Sequence, residues 1–250
     1  MIYFCGDTHG CFDHIIDVVG QDRPAAVVFL GDLQAQRPLE VELASILGIT
    51  EIWYIHGNHD TDSEADYDNL FGSALADRNL HGRVVEIDGL RIAGLGGIFR
   101  GQVWAPPGEW LHERPEDFAA RCGKGNLWRG GLPRKHRSSI FPSDYFGLVG
   151  QRADILVTHE APSSHPHGFD AIDELGRSLG VSKAFHGHHH DRLDYSSHRE
   201  RLGFDAFGVG FCGVSDTNGR TVRSGEFDEA RAHRSTGGRL RKRKIKHAKA

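Results

Sequence analysis

The chain has 250 residues, 38% of them apolar and 26% charged, which suits one large domain with its own core, or one domain carrying an elaborate insert. No stretch reaches the roughly 18 to 20 apolar residues that a membrane-spanning helix needs. The formal net charge of −4 conceals a basic tail on an acidic body: residues 231–250 hold nine Lys or Arg and no Asp or Glu, leaving 21 basic against 34 acidic residues over 1–230.

The apolar run Met1 to Cys5 has no basic leader and no cleavage site, so a signal peptide is not expected. It ends at Gly6-Asp7, and a helix follows over Phe12 to Val19, with Ile15, Ile16 and Val19 at helical spacing. Ala25 to Leu30 reads as a buried strand ending at Gly31-Asp32. Pro38 suits the first position of a helix running to about Leu47. Ile52 to Ile55 is a third strand, ending at Gly57-Asn58-His59-Asp60, and Asp88-Gly89 is the turn of a hairpin joining Arg83–Ile87 to Arg91–Leu95. Gly94-Leu95-Gly96-Gly97 marks a strand end near the site rather than a phosphate loop. Residues 100–150, with Trp104, Trp110, Trp128 and a basic cluster around Arg129 to Arg137, break the alternation and read as an inserted lid or substrate segment. Asp154 to Val157 then leads to Thr158-His159-Glu160, and Lys183 to Phe185 leads to His186-Gly187-His188-His189-His190. Phe204 to Phe211 and Thr221 to Phe227 are closing strands.

Each apolar strand therefore stops at or beside a polar, metal-capable residue, usually after a glycine. In open α/β sheets, sites lie outside the carboxyl ends of the strands, so these loops should meet. Histidine is unusually frequent, at 17 residues, and imidazole is a common metal ligand. Asp7, His9, Asp32, Asn58, His59, His159, His188 and His190 offer nitrogen and oxygen donors that suit Mn, Fe, Zn or Ni. Two such ions bind both the attacking and the leaving oxygens of a phosphoryl displacement, and one carboxylate must then bridge them, because adjacent dications repel. On extended backbone, Asp7-x-His9 and His188-x-His190 would each put two side chains on one side, with His189 facing away. The four cysteines, Cys5, Cys11, Cys122 and Cys212, lack CxxC spacing. They read as reduced thiols of a cytoplasmic protein rather than as a disulfide framework or a thiolate zinc site.

Taken in order, Gly6-Asp7-Thr8-His9, Gly31-Asp32, Gly57-Asn58-His59-Asp60, His159 and Gly187-His188-His189-His190 resemble the signature of the calcineurin-like metallophosphoesterases. The resemblance spans residues 6 to 190. It implies an α/β fold, a four-layer α/β/β/α sandwich of two mixed sheets flanked by helices, with the metal site at strand carboxyl ends. It implies that Asp7, His9 and His190 hold one divalent ion, that Asn58, His159 and His188 hold a second, and that Asp32 bridges them. A metal-bridging water would attack phosphorus, with His59 stabilising or protonating the leaving oxygen. Mn is the favoured ion. The protein Ser/Thr phosphatase branch continues Gly-Asp-x-x into Asp-Arg-Gly, whereas this chain has Ala35 and Gln36 there. The carboxylate that would orient His59 and the arginine that would grip phosphate are absent from those positions, and Arg37 stands one place late. Arg100 and Arg129 are the alternative grips.

The expected organisation is a metallophosphoesterase domain over 1–230, carrying the 100–150 insert, followed by a basic, disordered tail over 231–250. The function read from these residues is hydrolysis of a phosphomonoester or phosphodiester. Two alternatives use the tail: a nuclease-like phosphodiesterase, or a non-catalytic metal-containing module that binds nucleic acid. His56 and His186 read as structural neighbours. His165 and His167 read as solvated loop residues, and the tryptophans as either a base-stacking surface or a local core.

Overall fold

Strand alternation decides the architecture. In the computed structural model, which describes residues 1–229, the elements run β1 (Ile2–Cys5), α1 (Asp13–Asp22), β2 (Ala26–Leu30), α2 (Leu39–Glu42), β3 (Glu51–Ile55), α3 (Glu64–Phe71), β4 (Arg83–Ile87) and β5 (Leu90–Leu95). There follow α4 (Pro115–Arg121), α5 (Pro142–Leu148), β6 (Ile155–Thr158), α6 (Asp170–Leu179), β7 (Lys183–His186), α7 (Arg199–Leu202), β8 (Asp205–Gly208), β9 (Val214–Asp216) and β10 (Thr221–Arg223). They build two mixed five-stranded sheets, in the orders β10-β9-β1-β2-β3 and β4-β5-β6-β7-β8. β1, β2 and β3 are parallel, as are β5 to β8, while β9, β10 and β4 close the sheets antiparallel.

Period-two alternation sends Ile2, Phe4, Val28, Leu30 and Ile55 of the first sheet inward against Ile92, Ile155, Val157 and Phe185 of the second. Phe4 and Phe185 stack at 3.9 Å across that interface. The intervening residues, Tyr3, Cys5, Val27, Phe29 and Tyr54, face outward and are covered by Ile15 and Val19 of α1 and Leu70 of α3. The outer face of the second sheet is covered by Tyr145 and Leu148 of α5 and Ile172, Leu175 and Leu179 of α6. The result is the expected four layers, helix on sheet on sheet on helix. No described helix is long and apolar enough to cross a membrane.

Three boundary expectations need correction. The helix placed over Pro38 to Leu47 is only Leu39–Glu42: Pro38 caps it, and Leu43, at φ −102° and ψ 13°, leaves helical geometry. The strand expected over Phe204 to Phe211 ends at Gly208, and the chain then crosses to the first sheet, where Val214–Asp216 pairs with β1. The last strand stops at Arg223. The basic tail over 231–250 lies outside the described residues.

The insert is a packed layer. Val103 and Trp104 join Phe99, Phe141 and Tyr145 in the core over the second sheet, so Trp104 belongs to a local core. Trp128 lies under the guanidinium groups of Arg129, at 4.2 Å, and Arg137, at 4.9 Å. Its indole N–H donates to Glu64 at 3.0 Å, which ties the insert to α3.

Candidate metal centre

Parallel strands deliver their following loops to one edge. Asp7 follows β1, Asp32 follows β2 and Asn58 follows β3, all from the first sheet. His159 follows β6, and His188 and His190 follow β7, from the second. Glycine is needed where these loops crowd. A methyl group on Gly57 would lie under 3 Å from the Asp32 carboxylate, the Asp32 backbone nitrogen and the His159 ring. Gly31, at φ +101°, has His159 against the space a side chain would occupy. The backbone between the ligand residues is not extended, contrary to the sequence expectation. His9 (φ 43°), Asp32 (φ 50°), His188 (φ 70°) and His190 (φ 54°) all occupy the left-handed region. Non-glycine residues take that conformation at a cost, and such residues gather at functional sites.

The seven expected ligand residues converge. One group of donor atoms comes from Asp7, His9, Asp32 and His190, a second from Asp32, His159 and His188, and within each group the atoms lie no more than 4.8 Å apart. Asp32 belongs to both. His9 Nε2 stands 3.1 Å from His190 Nε2, and His190 Nε2 stands 3.3 Å from Asp7 Oδ2. On the other side, His159 Nε2 lies 3.3 Å from Asp32 Oδ2 and 3.2 Å from Asn58 Oδ1. Two imidazoles are aimed from behind. His159 Nδ1 donates to the Leu30 carbonyl at 2.8 Å, and His9 Nδ1 donates to Gln34 Oε1 at 2.5 Å. Each hydrogen bond holds a proton on Nδ1 and turns Nε2 toward the centre, the usual support for a metal-ligating histidine. Gln34 was not among the sequence candidates.

The electrostatics call for a cation. Asp7 and Asp32 are 0% and 1% exposed, yet both Asp7 oxygens and Asp32 Oδ2 lack a hydrogen-bond donor. Burial pushes the Asp7 carboxyl up to about 8, against the charge of His159 and with that of Asp32. Burial also opposes ionisation of Asp32, but the adjoining His159 imidazolium outweighs it and holds Asp32 low. His159, despite a burial penalty, is raised to about 10 by Asp32 and Asp7. A buried charge needs a partner, and here one protonated imidazole stands where divalent ions would satisfy both carboxylates. The donor set of carboxylate, amide oxygen and imidazole fits Mn, Fe, Zn or Ni.

Around this cluster the second circle of expectations divides. His59 lies at the rim, its ring 5.5 Å from that of His9, and its Nδ1 donates to Asp62 Oδ2 at 2.5 Å. Asp62 thus supplies a carboxylate to the His59 ring, where Ala35 has none to offer. The i, i+3 spacing across the single helical turn His59–Thr61 was the available signal. Asp60 is wholly buried and accepts from the backbone of Gln34 and Gly57, both at 2.8 Å, joining the two ligand loops. Arg100 lies within electrostatic reach of Asp62, Glu160 and Asp32. Its Nη2 donates to Ser138 at 3.3 Å, and its Nε is buried without an acceptor. Arg129 is a different case: it is held bidentate by Asp68 on α3, at 2.5 and 2.9 Å. Arg37 is paired with Glu42 at 2.9 Å. His56 and His186 are buried neighbours, 2% and 1% exposed. His165 is buried too, against the expectation of a solvated loop, and stacks at 3.8 Å on His189. His189 stands outside both groups that share Asp32, although strand alternation is not the reason, since β7 ends at His186.

The sequence matches the calcineurin-like phosphoesterase family over residues 1–192. It is 44% identical over 219 residues to an uncharacterised protein of Haemophilus influenzae, a match that covers 88% of this chain and 95% of that one. Among solved structures, TT1561 of Thermus thermophilus shares the fold with a TM-score of 0.52 at 13% identity, over 88% of this chain and 98% of that one.

Proposed function

This chain belongs to the calcineurin-like phosphoesterase family, a family of metal-dependent phosphoester hydrolases, and from that premise we propose that it works with two divalent ions that share Asp32. The observation that carries this reading is the pair of donor groups meeting at one buried carboxylate. Asp7, His9 and His190 would hold one ion, and Asn58, His159 and His188 the other. When bound, such a pair supplies Lewis acidity: it offsets charge on the phosphoryl oxygens and acidifies a water so that it attacks phosphorus near neutral pH. Mn is the ion we favour: the set joins the oxygens of Asp7, Asp32 and Asn58 to four imidazoles and holds no thiolate.

The remaining work falls to side chains. Attack forms one P–O bond and breaks another, and the departing oxygen needs a proton or a strong hydrogen bond. His59, acting as an imidazolium whose Nδ1–H is committed to Asp62, gives its Nε2 proton and is left as the neutral Nδ1–H ring. Asp62 fixes the ring plane and accepts from Nδ1 in both states. Arg100 gives its unsatisfied Nε–H to a phosphoryl oxygen, and the 100–150 insert places it there. The buried, fixed carboxylates and imidazoles are preorganised, so little rearrangement is needed at the moment of reaction. The substrate is a phosphate monoester or diester. Four unpaired cysteines suit a reducing compartment, the cytoplasm in this reading.

The test is hydrolysis of p-nitrophenyl phosphate and bis-p-nitrophenyl phosphate by the metal-stripped protein after addition of Mn²⁺. The proposal expects Mn²⁺ to restore cleavage of at least one ester, and Asp32→Asn to abolish it. If neither ester is cleaved by metal-loaded protein while nucleic acid is bound equally well by wild type and Asp32→Asn, the chain is a binding module and the enzymatic reading is wrong.

A further inference from the structure

The folded chain brings together three soft donors that lie far apart in sequence. Cys11 lies just before the N-cap of α1 and His14 is in its first turn. Cys212 reaches them from the loop between β8 and β9. That loop is fixed to the β1 loop by the Cys212 amide, which donates to the Asp7 carbonyl at 3.0 Å. One donor atom from each of Cys11, His14 and Cys212 lies within 4.8 Å of the other two. Cys212 is itself left-handed, at φ 54°.

His14 gives an independent indication of a ligand. Its side chain is 8% exposed, and neither ring nitrogen has a hydrogen-bond partner. Buried polar atoms in native proteins are almost always satisfied, and an exception calls for an explanation such as an ion. Burial, and then the charge of Arg223, lowers His14 to about 4 against the opposing effects of Asp13 and Asp17, so the ring is neutral and has a lone pair to give. The cluster is also accessible, because Cys11 is exposed and lines an open cleft of about 360 Å³ beside His9, Gln36 and Arg37.

We propose that Cys11, His14 and Cys212 form a third cation site, separate from the pair that shares Asp32 and selective for a thiophilic divalent ion, Zn²⁺. Bond lengths of about 2.0–2.3 Å place tetrahedral zinc ligands roughly 3.3–3.8 Å apart. The donor atoms, all within 4.8 Å of one another, would draw together by up to about 1.5 Å on binding. Two sulfurs and one nitrogen leave a fourth position open on the cleft side. The donor chemistry separates this site from the other: two sulfurs favour a thiophilic ion, whereas the Asp32 centre offers carboxylate and amide oxygens with imidazoles and no sulfur. An ion here would clamp the loop that carries Asp7 and His9 to the loop that precedes β9, and so stiffen the edge on which the Asp32 centre is built.

Full-length protein, reduced and metal-stripped, is first loaded with Mn²⁺ to fill the Asp32 centre and then titrated with Co²⁺ as a spectroscopic stand-in for Zn²⁺. The proposal expects a thiolate-to-cobalt charge-transfer band in the near ultraviolet, a signature that exchange of Co²⁺ into the sulfur-free Asp32 centre does not give, and expects Zn²⁺ to bleach it. Cys11→Ser, a substitution at an exposed position, should lose the band, and His14→Gln should weaken Co²⁺ binding while circular dichroism stays native. Absence of the band in reduced wild-type protein, or its persistence unchanged in Cys11→Ser, overturns the proposal. So does a Cys11–Cys212 disulfide in protein isolated from a reducing cell interior. None of these outcomes bears on hydrolysis at the Asp32 centre.

Discussion

Replacing Asp62 by Asn tests the assignment of His59 most sharply. The substitution keeps the size of the side chain and removes its charge, so the His59 ring loses its ionic acceptor without losing its place. A hydrogen bond to a charged partner contributes about 1.5–3 kcal/mol when sheltered. Here the two side chains are 44% and 55% exposed, and pairs this open to solvent contribute about 0.2–1 kcal/mol. About 1 kcal/mol is therefore at stake, roughly a fivefold change in rate. That loss should depend on the leaving group. With p-nitrophenol, which departs without help, kcat should fall less than twofold. With phenol or an alkyl alcohol, whose oxygen needs protonation, it should fall about fivefold. The assay is kcat across a series of substituted phenyl phosphates and alkyl phosphates, with KM and Mn²⁺ affinity measured alongside. Asp62→Glu should recover part of the loss. An equal loss for every leaving group, or a change in KM alone, would show that Asp62 merely holds the turn together.

Other expectations follow from the same geometry. Gly57→Ala places a methyl group against the Asp32 backbone as well as its carboxylate, so no side-chain rotation relieves the clash. A shift of about 1 Å costs roughly a hundredfold in rate, and kcat/KM together with metal content should both fall; unchanged metal content would refute the crowding argument. In the metal-free chain, Asp7 is protonated below about 8 and His159 below about 10. An ion must displace both protons, so apparent Mn²⁺ affinity should rise between pH 6 and 8, with proton release visible by calorimetry in buffers of different ionisation enthalpy. A flat affinity over that interval contradicts the charge balance drawn above. Arg100→Ala should raise KM about tenfold, as expected for losing a charge-assisted contact of about 1.4 kcal/mol. Arg129→Ala, which loses its pairing with Asp68 and its stacking on Trp128, should leave KM within twofold; the reverse ranking would move the phosphate grip to Arg129.

The metal-capable residues were legible because each strand announces its own end. Asp32 and Asn58 sit directly behind strand-closing glycines, and the parallel topology does the rest. What the sequence withheld depended on contacts between distant loops or on unusual backbone. Alternation suggested extended backbone at His9 and His188, but both are left-handed. Gln34 was invisible as a support for His9, because the β1 and β2 loops meet only through the register of their strands. Asp62 was within reach of a local argument, three residues beyond His59, and was obscured by looking for the carboxylate at position 35. The Cys11, His14 and Cys212 cluster had no signature at all. It exists because the chain crosses from the second sheet back to the first after β8, bringing residue 212 beside residue 11. In the insert, the basic cluster of the expected lid or substrate segment is engaged largely with α3 and the turn after His59. Arg137 donates to Tyr67 at 3.0 Å and Arg134 to the Asp62 carbonyl at 2.8 Å.

The central claim is that two ions share Asp32, and electron paramagnetic resonance of Mn²⁺-loaded protein addresses it directly. The account predicts the multiline spectrum of an exchange-coupled Mn²⁺ pair in the wild type, replaced in Asp32→Asn by the six-line signal of isolated ions, with hydrolysis lost in step. Hydrolytically active wild-type protein showing only isolated Mn²⁺ would contradict it.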